Sequence, residues 1–562
     1  MKHGTPAGHW LISWVVVIAA TVFYWAFDRP FSTPKYLVLF ILCVLLSQWG
    51  RFVHPLKLSW WLLLAWPLVT VFWVTDLRLF AGALMPFGVL AMASMLDLEN
   101  EQREALARGM AWSVVPVTVY LLIQRLGWDP LTLEQGAMAG GFFGNTNFSA
   151  HYLILVLTTG GIRRRWLIWV VLAGLIVTES RGGLLAFTIW VLWVYRSHMA
   201  GLPAWFKWSL VGFLGCLGAF LVHQFSSDLN RGWSYLTNPS AYANHVQAHL
   251  DVIRAAEARG QDPEAWVGVD PWLYGKRRSL MVRVPLAANA SVLCQDRPLT
   301  GFGLGQFHVF YPRRAQAIFP DIHLSDRFRA RSAHNLLLDG AVTLGLPWMV
   351  LLGFCLLGLW RRGGAPWRMA LVLQLGLALV SLNFLNPLIP TLLLLLGPSP
   401  AQPGAAFSQP VKLLTRGFFV LAGLLLLFGS LVDAQAVTAE PKPKAFFPAH
   451  YAANAYQEGD LTTALGFQIK AFEQDPYGPE TIYNLGVIAH YLGQTEDRPE
   501  LQELALQAWQ VNRLMHPFYE PAEQRWREAA GTSADLAGTQ EAAHARLRRT
   551  LGEIQNQLSF DL

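Results

Sequence analysis

Charge is what this chain has least of. Only 14% of its 562 residues are Asp, Glu, Lys or Arg, against 53% hydrophobic and 13% aromatic. Soluble globular proteins carry about 25% charged residues, so an ordinary water-soluble globule is excluded over most of the length. Runs of about 20 apolar residues call for a bilayer. Cysteine is also scarce. Of four, Cys43, Cys216 and Cys355 fall in apolar runs and Cys294 alone in a polar loop, which argues against an intramolecular disulfide framework.

The charge that is present is unevenly placed. From Gln435 onward there are 10 Lys/Arg against 17 Asp/Glu, and before it 33 against 20, within a net charge of +6. An acidic, water-facing tail (435–562) thus follows a basic, apolar region (1–434). Nothing in the pattern points to nucleic acid.

Apolar runs predict spans near 10–27, 34–50, 58–75, 79–96, 109–126, 148–161, 166–179, 182–197, 204–225, 335–360, 367–386, 388–399 and 412–433. This makes an all-α, polytopic membrane protein of about 12–13 transmembrane helices. The first run reads as a signal anchor. Arg51 and Lys57, Arg163–Arg165, Arg196 and Lys207, Arg361, Arg362 and Arg368, and Lys412 with Arg416 fall on one side. By the positive-inside rule that side is cytoplasmic. The long loop 226–334 and the tail then lie outside, on the periplasmic face of a bacterial inner membrane.

The tail carries a repeat. Ala455 and Gly459 recur as Ala489 and Gly493 at a 34-residue offset, with Tyr456–Leu461, Ala464, Asp475-Pro476 and Tyr483–Gly486 around them. That is a tetratricopeptide-like pattern of paired helices. It suits either a concave partner-binding face or a packing and solubility domain.

Four polar patches punctuate the apolar region. Gly144-Asn145-Thr146-Asn147, with His151 after it, opens the sixth span; its Asn side chains suit sugar hydroxyls or phosphate oxygens, or a capping turn. Arg181 follows Thr178-Glu179-Ser180 in a tight hairpin, where the positive-inside rule disfavours an arginine that serves no purpose. Arg283, Asp296, Pro298 and Gly301-Phe302-Gly303-Leu304-Gly305 form the third; its glycines allow close backbone approach and offer amide donors. The fourth is Ser332-Ala333-His334-Asn335, preceded by Arg313, Arg314, Arg327, Arg329 and Arg331 with no lysine between Tyr311 and His334. Arginine's planar fork fits phosphate and carboxylate, and a histidine can take a proton near neutral pH. Asp339, within the following span, is expected to pair with an arginine from another span.

In this order and spacing the patches resemble the O-antigen ligase and polymerase superfamily of bacterial membrane glycosyltransferases, over roughly residues 10 to 395. The family often has Trp four residues after the loop arginine, where this chain has Ala287. The resemblance implies a C-type glycosyltransferase-like architecture. It also implies transfer of a preassembled glycan from undecaprenyl-diphosphate to a glycolipid or protein acceptor at the periplasmic face. His334 would be the general base, and Arg181 and Arg283, with Arg329 or Arg331, would hold the diphosphate. Asn145, Asn147, Asn335 and Asp339 complete the expected substrate-binding set. Such ligases work without a metal ion or other cofactor, and no Asp-x-Asp or His/carboxylate cluster here reads as a metal site. An O-antigen polymerase, or a protein O-oligosaccharyltransferase recruiting its acceptor through the tail, shares these features. A transporter or flippase would place ionisable groups along a midplane path instead.

Overall fold

A computed structural model describes residues 6–23, 33–49, 51–52, 58–75, 77–129, 140–160, 166–200, 278–311, 332–379, 388–397, 448–474, 476, 478–515, 525–528 and 540–557. Among them the chain is all-α, save a two-residue antiparallel pair, Arg51–Phe52 with Leu96–Asp97. It divides into two compact units. One comprises residues 1–233, 294–307 and 332–439; the other 234–293, 308–331 and 440–562.

In the first unit the helices are α1 (Pro6–Thr21), α2 (Thr33–Trp49), α3 (Leu58–Val69), α4 (Leu77–Ser94), α5 (Asn100–Arg125), α6 (Thr146–Gly160), α7 (Trp166–Thr178) and α8 (Arg181–Ala200). Next in the chain come α9 (Arg278–Asp296) and the short α10 (Phe307–Phe310), whose residues fall mostly in the second unit; the first unit continues with α11 (Leu336–Leu344), α12 (Leu346–Arg362), α13 (Ala365–Ala378) and α14 (Leu388–Leu396). By length and hydropathy α5, at 26 residues, can cross a membrane; it extends about 39 Å at 1.5 Å per residue. Shorter apolar helices lie at 8–21, 34–47, 59–72, 82–94, 166–178 and 181–194. Apolar side chains also cover the outer faces of this unit, among them Trp14, Trp112, Trp169 and Phe354, each more than half exposed. Helices apolar on every face suit a lipid surround.

Helix α6 is the hub. It packs against α5, α7, α8, α13 and α14, and Tyr152 through Leu157 are completely buried. Small residues set the close crossings. A Cβ on Gly109 of α5 would lie 2.5 Å from the Ser13 carbonyl of α1, and the Ser13 hydroxyl donates to the Ala105 carbonyl at 2.8 Å. Gly174 of α7 meets Leu153 and Thr118 in the same way. With no water to drive association, such backbone approach and interhelical hydrogen bonds hold membrane helices together.

Three expected spans differ. The run 109–126 is the second part of a helix that begins at Asn100, where the Glu99 N–H donates to Gln102 Oε1 at 2.9 Å. The run 335–360 is two helices, α11 and α12, broken at Gly345 with φ +85°. The twelfth run shortens to nine helical residues, Leu388–Leu396. The spans at 204–225 and 412–433 lie outside the described residues.

The second unit holds α15 (Pro448–Gln457), α16 (Leu461–Gln474), α17 (Pro479–Thr495), α18 (Pro499–Met515) and α19 (Gln540–Gln557). Each packs on the next along the chain. Ala455, Ala464 and Ala489 are buried between helices. Gly486 faces the Trp509 indole, and Gly493 would place a Cβ 3.0 Å from the Arg498 carbonyl.

Candidate functional site

The Gly144–Asn147 segment is a turn that starts α6. Gly144 takes φ +67°, and Asn145 Oδ1 accepts the Asn147 N–H at 2.8 Å, which relieves an unpaired donor at the helix start. The turn is tied to the end of α5. The Gly141 N–H donates to Gln124 Oε1 at 2.8 Å, Ser149 Oγ donates to the Gly140 carbonyl at 2.8 Å, and Phe142 stacks on Tyr120. Asn145 is exposed and Asn147 half-buried.

The hairpin between α7 and α8 joins this turn directly. Ser180 Oγ donates to Asn147 Oδ1 at 3.1 Å and accepts the Gly183 N–H at 3.3 Å. Gly183 makes the approach possible, since a Cβ there would sit 2.8 Å from Ala150 of α6. Glu179 adopts φ +51°, and its carboxylate pairs with Arg125 at 2.6 Å. Both partners are substantially exposed, so the pair orients the hairpin more than it stabilises it. Arg181 opens α8 with its side chain half-buried.

The His334 turn stands at the far side of α13. Asn335 Nδ2 donates to the Leu379 carbonyl at 2.9 Å, just past the end of α13. Leu377, two residues earlier, lies 3.2 Å from where a Cβ on Gly182 would be. The end of α13 therefore carries the Arg181 hairpin and the Asn335 cap together. His334 itself holds φ +52°, a left-handed conformation uncommon outside glycine. Its N–H donates to Ser332 Oγ at 3.2 Å.

Asp339 explains how that conformation is held. Its carboxylate accepts the Ala333 N–H at 2.9 Å and the Asn335 N–H at 3.4 Å, the two amides flanking His334. Among the described residues the donors that meet this carboxylate are these backbone amides. Asn335 Oδ1 in turn accepts the N–H groups of Leu337 and Leu338 at 2.9 and 3.1 Å, capping α11.

The glycine-rich loop has a different use from the one its composition suggests. The amides of Gly301, Phe302 and Gly303 donate to the carbonyls of Arg297, Val342 and Thr343 at 3.0, 2.8 and 2.9 Å, and the Leu304 amide donates to Thr70 Oγ1 at 3.2 Å. They are committed to the protein and do not form a phosphate cradle. The close approach is real, but it is to α11: a Cβ on Gly301 would sit 2.5 Å from the Thr343 carbonyl, and one on Gly345 would strike the Leu299 carbonyl. The loop straps the α11–α12 break.

Below the His334 turn opens an apolar cavity lined by Leu336, Trp60, Leu63, Phe87, Trp348, Leu371, Ala378 and Leu393, with Gln374 the polar member of its wall. Gln374 is itself engaged, donating to the His151 carbonyl at 3.0 Å.

Arg283 lies within α9; its side chain is outside the described part, as are Arg329 and Arg331. Two further groups have places in the site that the sequence alone does not assign them. Ser180 is the link between two patches, and Lys35 is fully buried beside the Gly144 turn, its ammonium donating to the Val22 carbonyl at 2.5 Å and lying 5.2 Å from the Phe143 ring centroid. The positive-inside argument applied to Arg181 would have singled out Lys35 equally.

No curated protein matches the chain. Residues 166–353, which run from α7 through the His334 turn into α12, match the family model described as O-antigen ligase. Over that segment, about a third of the chain, the protein is similar to the O-antigen ligase superfamily, a likeness that supports glycosyl transfer at a membrane in general.

Proposed function

We propose that this protein transfers a preassembled glycan from undecaprenyl-diphosphate to an acceptor hydroxyl at the periplasmic face of the inner membrane, as an O-antigen ligase. The observation that carries the reading is the His334 turn: a left-handed histidine whose flanking amides are both held by one buried carboxylate. Backbone strain of this kind persists where the surroundings over-determine it, and it concentrates at functional sites.

In this mechanism His334 takes the proton from the acceptor hydroxyl, and the freed oxygen attacks the anomeric carbon from the face opposite the diphosphate. The bond from that carbon to the diphosphate oxygen breaks, and the negative charge that develops there is met by Arg181, with Arg283 and Arg329 or Arg331. Asn145, Asn147 and Asn335 lie on the turns that border this chemistry and bind the sugar and phosphate oxygens. The apolar cavity beneath Leu336 suits the carrier's polyprenyl chain. The acidic helical tail (435–562) is a tetratricopeptide-like periplasmic domain.

The test compares Arg181→Ala and Arg181→Lys in cells lacking the native protein, with surface-attached and lipid-linked glycan measured together. The reading expects attached glycan to fall ~10²-fold in the alanine variant and full-length lipid-linked polymer to accumulate. Lysine should restore little, because it lacks the bidentate fork. Accumulated single repeat units would identify a polymerase instead, and unchanged glycan in both variants would reject the assignment of Arg181.

A further inference from the structure

Lys35, at the start of α2, is a charged residue to which the proposed mechanism gives no task. It is completely buried. A buried ammonium is costly, and a methionine of similar length would fill the space without that cost. Among the described residues the head group meets one carbonyl and one ring. Its Nζ donates to the Val22 carbonyl, just past the last turn of α1, at 2.5 Å, and stands 5.2 Å from the centroid of the Phe143 ring. Phe143 immediately precedes Gly144 and is buried against Tyr152 of α6, with centroids 5.0 Å apart. Its neighbour Phe142 meets both Phe23 at 6.2 Å and Tyr120 at 4.5 Å. Residues 141–143 are thus gripped by α5 and by the adjoining ends of α1 and α2, directly ahead of the turn that bears Asn145 and Asn147.

We propose that Lys35 is a positioning residue for the donor: through the Phe143 ring it sets the Gly144–Asn147 turn, so that Asn145 and Asn147 meet the lipid-linked glycan in a fixed geometry. The contacts run without a gap from the ammonium to the turn. Lys35 holds Phe143, and the Gly144 N–H closes back on the Gly141 carbonyl at 3.3 Å. The Asn145 carbonyl then accepts the Ser149 N–H at 3.1 Å, and Asn145 Oδ1 accepts the Asn147 N–H at 2.8 Å. A cation shared between a carbonyl and a ring face fixes direction as well as distance, whereas apolar packing is non-directional. A lysine kept for packing alone would contribute stability, and its loss would leave the binding of donor intact. A lysine kept for position is held at some expense of stability, and its loss registers in donor binding. The inference rests on the reading of Asn145 and Asn147 as donor ligands.

Lys35→Met, Phe143→Leu and the double variant, each as full-length protein in detergent, are compared with wild type. Amide hydrogen exchange is measured beside transfer kinetics with lipid-linked glycan from the producing strain. Lys35→Met should speed exchange at the Gly144 and Asn147 amides ~10-fold and leave the thermal midpoint unchanged or raised. Its KM for the donor should rise ~10-fold with kcat within about twofold of wild type. The double variant should lose no more than the more affected single one, because the two residues act through one contact. Wild-type exchange at these amides would overturn the proposal whether or not transfer is observed. An unchanged donor KM, a lowered midpoint with both kinetic constants intact, or losses that multiply in the double variant would each overturn it as well. His334→Ala, run alongside, separates the two readings: it should lose transfer and keep wild-type exchange at the turn. Undiminished transfer in His334→Ala would reject the catalytic assignment, and the exchange and KM of Lys35→Met would still decide the role of Lys35.

Discussion

At the scale of single residues the site turns on Asp339. Both of its oxygens accept backbone N–H groups, one on each side of His334, so the carboxylate acts on the histidine's position without needing to touch substrate. Asp339→Asn should replace one acceptor by an amide donor facing an N–H. Leaving a buried donor unmatched costs about 1–3 kcal/mol. The expected outcome is a lower melting temperature together with a drop in kcat that exceeds any change in KM, read from purified protein in transfer assays. A drop confined to KM would mean Asp339 binds substrate instead. The identities of His334, Arg181 and the asparagines were legible in the chain because polar residues stand out against apolar spans. The partner of Asp339 was not: it depends on a left-handed backbone at position 334, and no spacing rule reports that.

At the scale of elements the decisive feature is the break between α11 and α12. Hydropathy runs unbroken from 335 to 360, and that continuity conceals it, although Gly345 and Pro347 stand within the run. What fixes the break is non-local. The backbone at Leu299 and Thr300 presses against Gly345, and the Leu346 N–H donates to the Pro298 carbonyl at 2.8 Å. Gly345→Ala must meet both a positive φ and a collision with the Leu299 carbonyl. It should destabilise by about 1–3 kcal/mol or more, seen as a fall in thermal midpoint in detergent. Gly353→Ala, on the continuous helix α12 with open space around it, should be neutral or stabilising by comparison. Equal effects at the two positions would show that the strap does not hold the break. The α7–α8 hairpin was the reverse case. It was plain from the spacing of two apolar runs, and only its hydrogen bond to Asn147 needed three dimensions.

At the scale of the molecule, the split between an apolar basic region and an acidic tail was readable from composition alone, because the two face different solvents. The grouping of chain segments into compact units was not. The tail also has its own titration behaviour. Burial, with a smaller effect from Arg525, lowers the pKa of His490 below its ordinary value. A group depressed in this way is neutral in the fold and protonates more readily when unfolded. It therefore contributes stability above the unfolded value of about 6.5, and that contribution is lost as pH falls through it. Thermal midpoints of the full chain should thus decline as pH falls below about 6.5, and His490→Gln should flatten the decline. A slope identical in the variant would remove His490 from the account.

The central claim is that His334, on its strained turn, is the base for glycosyl transfer. It is tested most directly by His334→Ala in a strain lacking the native protein, with surface-attached glycan quantified at matched protein levels. The account predicts loss of attached glycan by ~10²- to 10⁴-fold, with intact lipid-linked polymer accumulating behind the block. Wild-type levels of attached glycan from a well-expressed variant would contradict it.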